Sequence, residues 1–403
     1  MKILFVSPLL YHSACGNGGG ILCFEFLKRL AREYTVALVA FYEEGEDTSA
    51  ARAELARLKI PLTAVERRFP RHAQRIATLG ELGALFPREA AAYRTNGMSA
   101  ALRQVVEEFS PDVVVLQFPV MAHYVTQLAG TMTVMDVQDV FSVSRFRAYR
   151  AARGRLDRMK RLWTWLAWQH YEAHFYPRFD HVLAISPQDE AAVSIICPET
   201  SVSTSAVAFE VSPSRQAAEY DDLHDIVMAG NFGHPPNLDG LTFFVDHVVP
   251  LILREVPDVS IRIAGRGLPE SVATGAPPAV RFEGFVPDIR AFFSGARVAV
   301  TPVRFGGGVK IKTVEAMSCG APVVATPVGA EGIGATDGHD ILIEADAADF
   351  ASSVIKLLRD SRLASEIGEN GRRLIAQNFS WERKINDFRD VLSALGCPQL
   401  SGR

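Results

Sequence analysis

Residues 301–334 read TPVRFGGGVKIKTVEAMSCGAPVVATPVGAEGIG. An apolar run ends at Pro302, three glycines follow at Gly306, Gly307 and Gly308, a helical pattern covers 310–318, and a second apolar run covers 322–326. Strand, glycine turn, helix and strand make the building unit of a parallel α/β sheet. A glycine loop that opens a helix gathers backbone N–H groups and the positive end of the helix dipole, which suits an anion. Lys310 and Lys312 add two ammonium groups at the same end. Cations oppose the dipole there, so their placement calls for an anionic partner. Glu315 lies three residues beyond Lys312, on about the same helix face. Its carboxylate can accept two hydrogen bonds from the vicinal hydroxyls of a ribose or sugar. Together these features describe a site for a nucleotide-sugar diphosphate; the glycines and lysines alone also fit a solvated turn. The run is not a P-loop, which ends Gly-Lys-Ser/Thr.

Outward from this stretch the same rhythm recurs. Apolar strand patterns lie at 225–229, 259–264, 280–285 and 297–301, with helices at 238–254, 346–359 and 381–395. In the other half, strands at 2–7, 36–41, 112–118, 133–137 and 181–185 alternate with helix-length segments. A glycine cluster (Gly16, Gly18, Gly19, Gly20) follows the first strand and precedes a helix with Phe24, Leu27, Leu30 and Ala31 on one face. The irregular stretch 206–219 separates the halves. The pattern predicts an α/β protein of two doubly wound, Rossmann-like domains facing across a cleft, with ligand beyond the carboxyl ends of the strands. The expected bounds are 1–208, 209–380 and a last helix over 381–403.

Composition narrows the class. The 403 residues are 48% hydrophobic, enough for full cores, so wholesale disorder is excluded. No apolar run approaches the roughly 18 residues of a transmembrane helix, and 1–7 is too short for a secretory signal core. Five scattered cysteines without a Cys-x-x-Cys pair indicate neither a disulfide framework nor a zinc site, and a cytoplasmic setting is expected. The ten histidines show no ligand spacing, so no metal or other cofactor is expected. A net charge of −4 argues against nucleic acid as a partner. That total hides an arginine-rich segment: 144–161 holds Arg145, Arg147, Arg150, Arg153, Arg155, Arg158, Lys160 and Arg161 against Asp157 alone. With Tyr149, Leu156, Met159, Trp163 and Leu166 at spacings of three, four and seven, it reads as one long amphipathic helix. Three roles fit it: an anionic membrane surface, aided by Arg67, Arg68, Arg71 and Arg75; a helix packed on the core with its tryptophans buried; or a groove for a phosphorylated acceptor.

The run GGGVKIKTVEAM followed by CGAPVVATPVGAEG resembles the donor-site signature of family 4 retaining glycosyltransferases, in the branch where a glycine loop and a basic-x-Lys pair precede Glu-Ala-Met. Gly230-Asn-Phe-Gly-His-Pro-Pro-Asn237 resembles the turn opening that family's C-terminal domain, Glu283-Gly-Phe-Val-Pro-Asp288 the loop along the nucleotide base, and Phe118-Pro-Val-Met-Ala-His-Tyr124 an N-terminal segment of some members. The resemblance implies a GT-B architecture whose last helix crosses back to the first domain. It implies that Glu315 holds the donor ribose and that Lys310 and Lys312 neutralise the diphosphate. Gly306, Gly307, Gly308 and Val309 would line phosphate and sugar, Gly284, Phe285 and Val286 the base, and Asn231 the same donor site. Gly18, Gly19 and Gly20 would close as a loop over the donor phosphates. Gln138 and Asp139 stand near the reacting centre, and His123 with Arg145, Arg147 and Arg150 on the acceptor or membrane side.

Two positions depart from the pattern. Gly307 stands where many members have a glutamate contacting the donor sugar, and Gln138 where they have a histidine. Glutamine can hydrogen-bond a sugar hydroxyl but cannot accept a proton at physiological pH. The expectation is a metal-independent retaining glycosyltransferase moving sugar from a nucleotide-sugar donor to a glycan or lipid-linked acceptor, cytoplasmic or peripheral at the inner face of the membrane. Two alternatives stand beside it: a catalytically weakened donor-binding partner of another transferase, and a nucleotide-sugar epimerase of the same fold.

Overall fold

The structure, a computed structural model, describes all residues except 14–17, 68–84, 153, 215–219, 221–222 and 398–403. The chain forms two compact units. The first comprises Met1–Val207 together with Lys384–Arg403, the second Ala208–Arg383.

The first unit carries strands β1 (Lys2–Ser7), β2 (Thr35–Glu43), β3 (Leu62–Arg67), β4 (Val113–Gln117), β5 (Met132–Val137), β6 (His181–Ala184) and β7 (Val202–Thr204). They pair in parallel in the order β3-β2-β1-β4-β5-β6-β7. The second unit carries β8 (Asp225–Ala229), β9 (Ser260–Ala264), β10 (Val280–Gly284), β11 (Val298–Thr301), β12 (Val323–Ala325) and β13 (Leu342–Ile343), also parallel, in the order β10-β9-β8-β11-β12-β13. Central strands buried on both faces read as unbroken apolar runs, as in Ile3-Leu-Phe-Val6 and Ile226-Val-Met-Ala229. Each fully buried Val, Leu or Ile stabilises its unit by about 1.5–3 kcal/mol relative to exposure. In both sheets the strand order reverses beside the first strand of the unit, at β1/β4 and at β8/β11. There the loops leave in opposite directions and open a crevice.

Three sequence expectations change. The arginine-rich segment is two helices, Phe141–Arg150 and Arg155–Phe175. Gly154, at φ +101, adopts a backbone conformation no helix contains and folds the second helix back on the first. Gly18, Gly19 and Gly20 form the first turn of the helix Gly18–Leu30 and not a loop. The helix predicted over 238–254 is Pro235–Phe243, a π segment Phe244–Val248 and Val249–Glu255. Pro250 lacks the N–H that a regular turn there requires.

Candidate functional site

The reversal point of the second sheet is built by the loops after β8 and β11. Behind β8 the chain packs too tightly for side chains. A Cβ on Gly265 (φ +151) would lie 1.7 Å from the Gly230 carbonyl, and one on Gly267 would lie 2.6 Å from the Gly233 nitrogen. Backbone bonds from Gly230 N to Ala264 O (3.0 Å) and from Phe232 N to Arg266 O (2.8 Å) lock the loops after β8 and β9 together. Asn231 turns this loop: its Oδ1 accepts from Gly233 N at 3.0 Å and its carbonyl from Asn237 Nδ2 at 2.8 Å. The Asn237 amide oxygen is thereby aimed across the reversal point, where it accepts a hydrogen bond from Lys312 Nζ.

After β11, Gly306 (φ +119) and Gly308 (φ +67) wind the chain into the helix Ile311–Ser318. Lys310 occupies the cap position of this helix, where Ser, Thr, Asp or Asn would ordinarily accept from first-turn N–H groups. An ammonium has no acceptor. It donates instead to the carbonyls of Gly307 (3.0 Å) and Gly308 (2.6 Å), 3.9 Å from Glu331. Thr313 Oγ1 donates to Gly329 O at 2.9 Å and pins the helix to the loop after β12.

The electrostatics follow from this packing. Burial, aided by Lys310, lowers the Lys312 pKa to about 8. Burial raises that of Glu315 to about 7, with Arg290 opposing it. Arg290 is tethered by Ser212 Oγ at 3.0 Å and by the Glu210 carbonyl. His234, next in chain to the crowded Gly233, is held below its ordinary pKa by partial desolvation and then by Lys312 and Lys310. A pair of cations and a carboxyl group are thus held with their charges incompletely solvated, at a helix N-terminus.

Residues 224–360 match the family model described as "Glycosyl transferases group 1". That segment is similar to the group 1 glycosyltransferase domains. It contains every site residue described in the second unit except the anchors Glu210 and Ser212. Among relatives, an uncharacterized 44.6 kDa protein in the cps region of Klebsiella pneumoniae is 29% identical over 44% of this chain and 49% of its own length. The lipopolysaccharide core biosynthesis mannosyltransferase LpcC of Rhizobium leguminosarum bv. viciae is 26% identical over 42% and 51%. The matches thus span about half of those relatives. Anabaena Alr3699/HepE, solved in complex with UDP, superposes with a TM-score of 0.69 over 98% of this chain and all of its own, at 16% identity. That likeness is one of fold, and the fold is GT-B.

Within the matched segment, Gly284 (φ +67) ends β10 and its carbonyl accepts from Gly265 N at 2.6 Å. Phe285 is exposed beneath the Arg266 guanidinium, 4.1 Å from its ring centre, and Val286 is half-buried. Asn231, Gly306–Val309, Lys310, Lys312 and Glu315 therefore gather around β8 and β11, with Gly284–Val286 linked through the β9 loop. Asn237, Arg290 and His234 belong to this group. The 230–237 motif contains His234 and Asn237 without a role for either, and Arg290 escaped the sequence reading, because strand order alone brings the three to the lysines and Glu315. Among the described residues no three His, Cys, Asp or Glu side chains are grouped to hold a metal ion.

The first unit carries its own polar cluster at the carboxyl ends of β1, β4 and β5. Tyr11 donates to Gln117 Oε1 (2.7 Å), and Gln117 to Asp136 Oδ2 (2.9 Å). Gln138 Nε2 donates to Asp136 Oδ1 at 2.8 Å, and Asp139 beside it is half-buried. Glu172, fully buried, accepts from Phe141 N (2.8 Å) and Ser142 N (3.3 Å) and so caps the helix Phe141–Arg150. Burial raises its pKa to about 8, with Asp139 adding to the shift.

His123 does not stand on an acceptor surface. It is buried among Phe86, Tyr124, Tyr171 and Phe175, with Nδ1 2.9 Å from Tyr171 OH, and desolvation lowers its pKa to about 3. A neutral imidazole fills the core there. Arg145 is half-buried and paired with Glu89 at 3.0 Å, which also accepts from Trp168 Nε1. Arg147 is half-buried and Arg150 exposed. Arg67 is buried against Tyr93 and paired with Glu43, while Arg68, Arg71 and Arg75 lie outside the described residues.

Proposed function

We propose that this protein transfers a sugar from a nucleotide-sugar donor, bound at the β8/β11 reversal point, to a glycan or lipid-linked acceptor, with retention of anomeric configuration and without a metal. One observation carries the reading. A cation occupies the cap of Ile311–Ser318, a second cation sits two residues on, and Glu315 follows within one turn of it. Lys310, Lys312 and the glycine-loop amides would bind the diphosphate, and Glu315 the ribose hydroxyls. As the bond from the sugar's anomeric carbon to phosphate oxygen breaks, its electron pair stays on the phosphate, where these donors stabilise the developing charge. The acceptor hydroxyl forms the new bond on the same face and gives its proton to the departing phosphate, so no protein base is needed. The LpcC relative, a lipopolysaccharide core enzyme, supports an acceptor attached to lipid.

Titration calorimetry with UDP, GDP and ADP tests the donor site. One of them should bind, and Glu315→Ala should weaken it by about 1.5–3 kcal/mol, the worth of hydrogen bonds to a charged group. Binding of none, with Glu315→Ala indistinguishable from the parent, overturns the proposal. A second reading, a donor-binding partner with weakened catalysis, is favoured by Gln138, whose amide is committed to Asp136. Nucleotide binding without transfer across a broad acceptor panel would select it, whereas sugar isomerised without any acceptor would select the epimerase.

A further inference from the structure

We infer that the helix Arg155–Phe175 lays one face on an anionic lipid bilayer. Leu156, Met159, Trp163 and Leu166 are 72, 62, 54 and 37% exposed. They stand at i, i+3, i+7 and i+10, and so form one stripe about 15 Å long. The buried side of the same helix is different: Ala167, Trp168, Tyr171 and Phe175 enter the core. Nor does the preceding helix cover the stripe. Its Phe146 and Tyr149 pack on Trp165 instead, with ring centres 4.8 and 6.0 Å away, and Arg161 donates to Ala148 O at 3.2 Å.

Scattered exposed apolar residues are ordinary, but four large ones in register are an interaction surface. Charge identifies what covers it. Arg155, Arg158, Lys160 and Arg161 are exposed around the stripe, with Arg150 at the end of the neighbouring helix, and the single acid, Asp157, is engaged by Arg161 at 2.9 Å. A second copy would bring the same cations against these. A narrow, convex ridge of Leu, Met and Trp rimmed by Lys and Arg suits the plane between headgroups and acyl chains. Each basic residue near an anionic surface contributes about fivefold in partitioning. Among the described residues no helix is long and apolar enough to cross a membrane. The inference is independent of the donor-site reading.

Flotation of the full chain with vesicles tests it. At low salt the protein should float with phosphatidylcholine–phosphatidylglycerol vesicles and stay behind with phosphatidylcholine alone. The variant Leu156→Gln/Met159→Gln/Trp163→Gln should fail to float while retaining the parent's melting temperature and nucleotide binding. Arg158→Gln/Lys160→Gln should lower partitioning about 25-fold. No flotation at low salt overturns the inference, as does flotation unchanged in the triple variant or equal on the two kinds of vesicle. So does a parent dimer that the triple variant converts to monomer without any lipid binding, which would make the stripe an interface between copies.

Discussion

Lys312 is a cation held partly out of water beside a second cation, and that makes its charge conditional. With its pKa at about 8, the ammonium is lost as pH rises through that value; Glu315, at about 7, loses its carboxylate as pH falls. Nucleoside diphosphate affinity should therefore peak between about pH 7 and 8. Beyond the upper limb it should fall by about tenfold per pH unit until binding to the neutral amine takes over. Calorimetry across pH checks this, and Lys312→Arg should push the alkaline limb upward because guanidinium stays charged. Lys312→Ala should weaken the diphosphate far more than the bare nucleoside; equal losses would mean that Lys312 does not touch phosphate. The lysines and Glu315 were legible in the sequence because short spacing on one helix fixes their neighbourhood. The contact of Asn237 with Lys312 was not, since it spans 75 residues. His123 misled for the opposite reason: a histidine in an apolar run looks available until its aromatic neighbours are known.

The helix Phe141–Arg150 depends on a cap supplied by another element. Glu172 is raised from the ordinary 4.5 to about 8, so its contribution is complete below about pH 4.5 and is lost as pH rises through about 8. The folded state must keep a proton that the unfolded chain releases. Glu172→Gln keeps an acceptor for the Phe141 and Ser142 amides without that proton. Urea denaturation should show parent stability falling relative to this variant by up to ~1.4 kcal/mol per pH unit within the window. Glu172→Ala should cost about 1–3 kcal/mol at pH 5, the penalty of stranded buried donors. Among the elements, the central strands were legible because burial on both faces writes them as unbroken apolar runs. β3, β7 and β13 were missed. The first two are half-buried, the last is two residues long, and all three lie at or beside sheet edges where the pattern dilutes. The break at Gly154 was hidden by a periodicity that runs through it.

The first unit is closed by a segment from the far end of the chain. Phe388 is fully buried against Phe26, ring centres 5.4 Å apart, and Phe26 packs in turn on Phe5 of β1. Lys384 Nζ donates to the Ala206 carbonyl at 3.1 Å, and Arg389 pairs with Glu33 at 2.6 Å. Phe388→Ala should cost the first unit about 3–5 kcal/mol. Calorimetric scanning should show its transition moving down while the transition raised by bound nucleoside diphosphate, that of the second unit, stays in place. The order in which the chain is made gives this closure a further consequence. Domains generally fold as they emerge, N-terminal first. Here residues 1–207 leave the ribosome without the helix that fills their core, and they must wait while the whole of 208–383 is synthesised. The unit translated first is therefore the last to be completed. Through that interval its unfilled groove around Phe26 is a place where a chaperone is most needed, and a ribosome that stops short of Lys384 releases a protein whose defect lies at the opposite end from the truncation.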